Sequence, residues 1–182
     1  ALGRGAAHED GAEQERAEHA PQFGRVDHRN FLPCRCLIQE TQALTTLSRL
    51  RRGDRVNLEP SLSLSDRLSG HVVFGHVDGI ATVVARRQRD GEVVLELRVA
   101  APLHRFLVPK GPVAIDGVSL TVGRVARGST FTVHLIPETM RQTTLGSVLA
   151  GAVVNVEVDY FAKLVRQFQR PRGRTIGSSR EL

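Results

Sequence analysis

One stretch of this chain is written twice. Residues 37–47 read LIQETQALTTL, and residues 135–145 read LIPETMRQTTL. Aligned without gaps at a constant offset of 98, residues 37–59 and 135–157 share 11 identities in 23 positions. The identical pairs include Leu37/Leu135, Ile38/Ile136, Thr45/Thr143, Thr46/Thr144, Leu47/Leu145, Gly53/Gly151 and Asn57/Asn155. A match this dense at one offset implies a duplicated unit of about 90–100 residues. Whatever plan the second copy follows, the first copy has to be compatible with it.

The two copies keep different company. The match stops upstream of Leu37, where FLPCR, residues 31–35, shows no kinship with STFTV, residues 129–133. Residues 1–36 are rich in Gly, Ala, His, Glu and Arg without a helix or strand period, and read as a disordered leader. The expected organisation is a leader (1–36), the surviving end of a first unit (37–66), a complete second unit (67–159), a helix (160–170) and a loose basic tail (171–182).

The second unit reads as all-β. Strand-like runs occur at Val72–Val84, 92–100, 112–117, 118–125, 131–136 and 153–159, with Gly-containing turns between them. Short strands at this spacing predict a small barrel or sandwich. APLHRFLV, 101–108, has room for a helical turn. In YFAKLVRQFQR, 160–170, Phe161, Leu164, Val165 and Phe168 fall on one helical face.

Composition narrows the function. The net charge is +6, with clusters at Arg49–Arg55, Arg86–Arg89 and the tail. Trp is absent and Tyr160 is the only tyrosine, so the aromatic platforms of single-strand binders are missing. Nucleic acid is not the expected partner. No apolar run approaches about 18 residues, so no membrane span is expected. Cys34 and Cys36 lack a second ligand pair and read as incidental thiols rather than a zinc site. A reducing, cytoplasmic setting is expected.

Four constellations could carry chemistry. GHVVFGHVDG, 70–79, holds His71 and His76, which would face opposite ways on a regular strand. His76 alone reads equally as an ordinary hydrogen-bonded histidine. In AIDGVSLTV, 114–122, Ser119 and Thr121 share the face opposite Val118, Leu120 and Val122, offering two adjacent hydroxyls or merely a polar surface. LIPETMRQTTLG turns at Pro137, which suits a first helical position. In VNVEVD, Asn155, Glu157 and Asp159 alternate with valines, leaving Asp159 at the strand end, solvated or facing a ligand.

In this order, GHVDG, K-G-x-x-x-IDGVSLTV, LIPET-x-x-x-TTLG and G-x-x-VN-x-E-x-D closely resemble the carboxy-terminal half of riboflavin synthase, the α-chain family. The resemblance covers residues 48–170. It implies a six-stranded Greek-key barrel, one of two in family members, followed by a carboxy-terminal helix that contributes to a homotrimer. It also implies a dismutation of two 6,7-dimethyl-8-ribityllumazine molecules to riboflavin and 5-amino-6-ribitylamino-pyrimidinedione. No metal or organic cofactor is needed, and association with lumazine synthase is a further expectation.

The resemblance implies roles residue by residue. His76 matches a histidine proposed to assist proton transfer, Ser119 and Thr121 match hydroxyls at the pteridine, and Asp159 matches a carboxylate near the reacting centre. Gly75, Val77, Lys110, Ile136 and Thr139 are the expected substrate-binding positions. The chain also departs from the family. The Phe-Thr-Gly-type opening segment and the first barrel's Asn-Gly-x-x-Leu-Thr-Val are not found, and Gln39 stands where the second copy has Pro137. Impaired turnover is therefore expected, with a non-catalytic lumazine- or flavin-binding protein of the same superfamily as the alternative.

Overall fold

The computed structural model describes residues 22–25, 37–58, 70–89 and 91–169. Eight strands are present among them: β1 (Gln22–Arg25), β2 (Arg55–Leu58), β3 (Gly79–Arg89), β4 (Glu92–Val99), β5 (Pro112–Ile115), β6 (Val118–Ala126), β7 (Thr130–Leu135) and β8 (Val153–Val158). The helices are α1 (Gln39–Leu44), α2 (Ala101–His104), α3 (Pro137–Gln142) and α4 (Tyr160–Gln169), with short 3-10 turns at Leu47–Arg49 and Thr144–Ser147.

β3–β8 close into a six-stranded antiparallel barrel in the order β3-β4-β7-β6-β5-β8. β5, β6 and β7 form a meander, and β8 returns to lie between β5 and β3. This is the expected Greek-key connection, and closure leaves no open edge. Alternation sets the core. Along β4, Val93, Leu95, Leu97 and Val99 are buried, and Phe131, Val133 and Leu135 of β7 meet them. Each fully buried Leu or Phe contributes about 1.5–3 kcal/mol of transfer free energy.

Two expectations shift. The strand predicted over Val72–Val84 begins only at Gly79 and runs on to Arg89. Its first residues leave the ladder because Gly75 takes a positive φ of 74° and the Phe74 amide donates to the Glu157 carboxylate at 2.8 Å instead. The leader, in turn, contains a strand. β1 pairs antiparallel with β2, matching Phe23 with Asn57 and Gly24 with Val56. Backbone pairing along a strand edge needs no side-chain pattern, so composition gave no sign of it. The rest of the leader with Cys34 and Cys36, residues 59–69 and the tail lie outside the described residues.

The tail-end helix forms, but its apolar face stands clear of the barrel. Phe161, Val165 and Phe168 are exposed, and Leu164 is half-buried. Among the described residues, no helix is long and apolar enough to cross a membrane.

Candidate functional site

The outer surface of β6, β5 and β8 forms a polar floor. Register aligns Ser119 with Ala114, and Ala114 with Glu157, in one row across three strands. Thr121 aligns with Pro112, and continuing the Val113↔Val158 register brings Asp159 level with them. Paired residues share a face, so Ser119, Thr121, Glu157 and Asp159 lie opposite the valines and leucines of the core. The two-hydroxyl face anticipated from DGVSLTV is thus present, with Thr121 exposed and Ser119 partly covered.

Residues 70–77 cross over this floor as a strap. His71 Nδ1 and Ser119 Oγ share a hydrogen bond of 2.7 Å. Gly70 approaches so closely that an added Cβ would sit 2.6 Å from Ser119 Oγ, and its φ is +84°. A side chain there would displace the strap. Ala114 faces outward yet is buried, consistent with the strap passing above it. Glu157, also buried, anchors the strap through the Phe74 amide. Phe74 in turn stacks on His76 at 5.8 Å and meets Tyr160 edge-on at 5.4 Å. His76 itself is exposed.

The electrostatics centre on His71. Burial lowers its pKa from the usual histidine value, opposed first by the charge of Asp159 and then by that of Glu157. Asp159 is half-buried and its Oδ1 accepts the Phe161 amide at 3.2 Å, so it also caps α4. Asp78 ties strand, strap and helix together. It accepts the Val158 amide at 2.9 Å and pairs with Lys163 at 2.8 Å.

The expected residues fall into two groups. Ser119, Thr121 and Asp159 share the floor, and Gly75, His76 and Val77 lie on the strap. Ile136 is exposed and, by continuation of the Val122↔Val133 register, sits level with Ser119. Lys110 occupies a left-handed turn, φ 67°, whose amide bonds Val122 O at 2.8 Å, one residue beyond Thr121. Thr139 belongs to α3, where its carbonyl accepts from Thr143. Sequence reasoning assigned no site role to His71, Phe74 or Glu157. The signal was there in part: Glu157 alternates with core valines as Asp159 does. His71 entered the sequence reading only as the companion of His76 on a regular strand, and the resemblance implies a role for His76 alone. Among the described residues no group of three or more His, Cys, Asp or Glu could hold a metal ion.

A family model described as "Lumazine binding domain" matches residues 74–159, which take in the whole closed barrel. Riboflavin synthase from Mycobacterium tuberculosis is 42% identical over 139 residues, covering 75% of this chain and 69% of that protein. Riboflavin synthase from Brucella abortus is 44% identical over 125 residues, covering 69% of this chain and 61% of that protein. The chain belongs to the riboflavin synthase family. Among solved structures, LumP complexed with riboflavin is similar with a TM-score of 0.61 at 23% identity, covering 67% of this chain and 66% of that one. LumP complexed with 6,7-dimethyl-8-(1'-D-ribityl) lumazine gives a TM-score of 0.58 at 23% identity, covering 66% and 64%. These two likenesses establish the barrel fold.

Proposed function

We propose that the chain binds 6,7-dimethyl-8-ribityllumazine on the outer face of its barrel and takes part in the dismutation of two such molecules. One donates a four-carbon unit and leaves as 5-amino-6-ribitylamino-pyrimidinedione, and the other becomes riboflavin. Turnover is slow in this chain, because one complete barrel offers one half of a site that must orient two ring systems.

The observation that carries this reading is the floor itself. Two hydroxyls, Ser119 and Thr121, lie on the same outer face as Asp159, across β5 from it, and the strap that carries the His76 ring crosses that face at Ser119. Hydroxyls that both donate and accept suit the carbonyls and ring nitrogens of a pteridine and the hydroxyls of a ribityl chain. In the proposed scheme Ser119 and Thr121 orient the ring, Asp159 stands at the reacting centre and His76 relays the proton taken from a ring methyl group. Gly75, Val77, Lys110, Ile136 and Thr139 line the substrate. No metal or organic cofactor enters the scheme, and the reaction takes place in the cytoplasm. A complete first barrel would add the second half-site and allow α4 to build a homotrimer, with lumazine synthase as an associated partner.

The test combines a fluorescence titration of the purified chain with lumazine and a riboflavin-formation assay. Saturable binding of one lumazine per chain with slow turnover is expected, and Ser119→Ala should weaken binding by about 5–30-fold. Fast turnover would overturn the half-site, and absence of saturable binding would overturn the floor. Binding with no turnover at all would favour the non-catalytic reading, against which the presence of His76, Ser119, Thr121 and Asp159 weighs.

A further inference from the structure

The strap that carries His76 is fastened to β8 on either side of that residue. The Phe74 amide donates to Glu157 Oε1 at 2.8 Å, and the Asp78 amide donates to Val156 O at 2.9 Å. Gly75, with a φ of +74°, and His76 lie between these fixings. Among the described residues the His76 ring takes part in no hydrogen bond, and its ring contact is the stack on Phe74 at 5.8 Å. Phe74 is itself exposed, so no core pocket grips it. Where the His76 ring stands is set by where the Phe74 ring stands.

Both fixings are held from outside the barrel, by α4. Tyr160 meets Phe74 edge-on at 5.4 Å, with 61° between the ring planes. One turn further, Lys163 Nζ pairs with Asp78 Oδ1 at 2.8 Å, and both side chains are largely covered. Residues three apart share a helical face, so one side of α4 addresses the strap while Phe161, Val165 and Phe168 point elsewhere and are exposed. The helix is a firm support. Asp159 caps its first turn through the Phe161 amide, and Arg166 lies over the Phe106 ring at 5.8 Å.

We infer that Tyr160 and Lys163 are positioning residues for the reaction: from α4 they fix the strap, and through Phe74 they fix the His76 ring. This rests on the reading of His76 as the proton relay. A relay works only within hydrogen-bond reach of its proton, and a ring next to a glycine in the left-handed region does not keep such a place unaided. The Tyr160 ring supplies an edge contact that holds Phe74 in its stack. Lys163 supplies the cation without which a largely covered Asp78 carboxylate is drawn towards water, pulling the end of the strap with it.

Two measurements separate this inference from the reading it rests on. In the ligand-free chain the His76 ring-proton NMR signals carry a ring-current shift from Phe74; Tyr160→Ala should collapse that shift and Tyr160→Phe should keep it. With saturating 6,7-dimethyl-8-ribityllumazine in deuterated buffer, exchange of the ring methyl protons reports the proton step alone and needs one bound molecule. Tyr160→Ala and Lys163→Met should each slow this exchange about 2–10-fold while Kd stays within about 2-fold, and Tyr160→Phe and Lys163→Arg should restore it. Phe168→Ala, on the exposed face, should match the parent chain, and barrel amide protection checks that every variant is folded. A His76 signal indifferent to Tyr160→Ala, exchange at the parent rate in Tyr160→Ala, or an equal loss in Phe168→Ala would each overturn the inference. A parent chain that neither binds lumazine nor speeds the exchange would overturn the site reading itself, and this inference with it.

Discussion

The two repeated blocks share local geometry in unequal surroundings. α1 and α3 begin and end at equivalent positions. Both are closed by a threonine whose hydroxyl bonds the carbonyl four residues back, Thr45 to Thr41 at 2.6 Å and Thr143 to Thr139 at 2.7 Å. Gly53 and Gly151 turn into the following strand with φ of +92° and +90°. Ile38 and Ile136 are exposed to nearly the same degree, 67% and 62%. The environments then diverge. β8 is paired on both sides, by β3 and β5, whereas β2 is paired with β1. Local sequence is enough to build the helix, the 3-10 turn and the strand entry; closing a barrel around them takes the upstream strands.

The largest expected asymmetry lies at Leu145 and Leu47. Leu145 is fully buried in the barrel core and Leu47 only partly. Leu145→Ala should cost about 2–5 kcal/mol in urea unfolding and Leu47→Ala about 1 kcal/mol or less. Equal losses would mean that the first block is packed as tightly as the second.

Asp116, between the blocks, gives the next effect. Its carboxyl is enclosed although the residue keeps some exposure, and burial raises its pKa from 3.8 to about 6, offset by hydrogen bonds from Asn155. The folded state thus binds a proton more tightly than the unfolded state, so this group's contribution to stability falls as pH rises from about 4 to about 6. Asp116→Asn keeps an acceptor for the Asn155 amide and tolerates the positive φ, so it should stabilise the chain by about 1–3 kcal/mol above that window and by little below it. His71, with its lowered pKa, contributes in the opposite direction, stabilising as pH rises below 6.5, and cancels in the difference between the two chains. A pH-independent difference would show that Asp116 is not the titrating group.

The blocks also grip each other reciprocally: the Thr46 amide donates to Asn155 Oδ1 and the Thr144 amide to Asn57 Oδ1, each at 2.8 Å, which predicts a crossed pattern. Asn155→Ala should speed hydrogen exchange at the Thr46 amide, and Asn57→Ala at the Thr144 amide, each with about 1–2 kcal/mol of lost stability. Exchange changes confined to the mutated copy would break the symmetry. The smallest effect belongs to the caps. Thr45→Val and Thr143→Val should each cost about 0.5–1.5 kcal/mol in chemical unfolding, and by similar amounts, if the local motif carries its own stability.

These asymmetries also mark what sequence could reveal. The duplication was legible because identity at a fixed offset needs no structure to interpret. β4 and β8 were legible because valine and leucine alternate with polar residues along them. The start of β3 was not, since Val72 and Val73 look strand-like while Glu157, more than 80 residues away, captures the Phe74 amide. The His71–Ser119 bond and the Thr46–Asn155 contact likewise join positions 48 and 109 residues apart. Periodicity and composition carry no information about such meetings. The hydroxyl face of β6 was visible as a pattern, but its covering by the strap was not.

Core and candidate site occupy alternate positions of the same strands: Val156 and Val158 inward, Glu157 and Asp159 outward; Leu120 and Val122 inward, Ser119 and Thr121 outward. Point changes on one side can therefore accumulate with little effect on the other, and relatives can drift in ligand preference while keeping the barrel. A single-residue insertion within β6 or β8 would do the reverse, exchanging the apolar and polar sets at one stroke. Lineages carrying this domain should tolerate substitution along these two strands and confine changes of length to the turns.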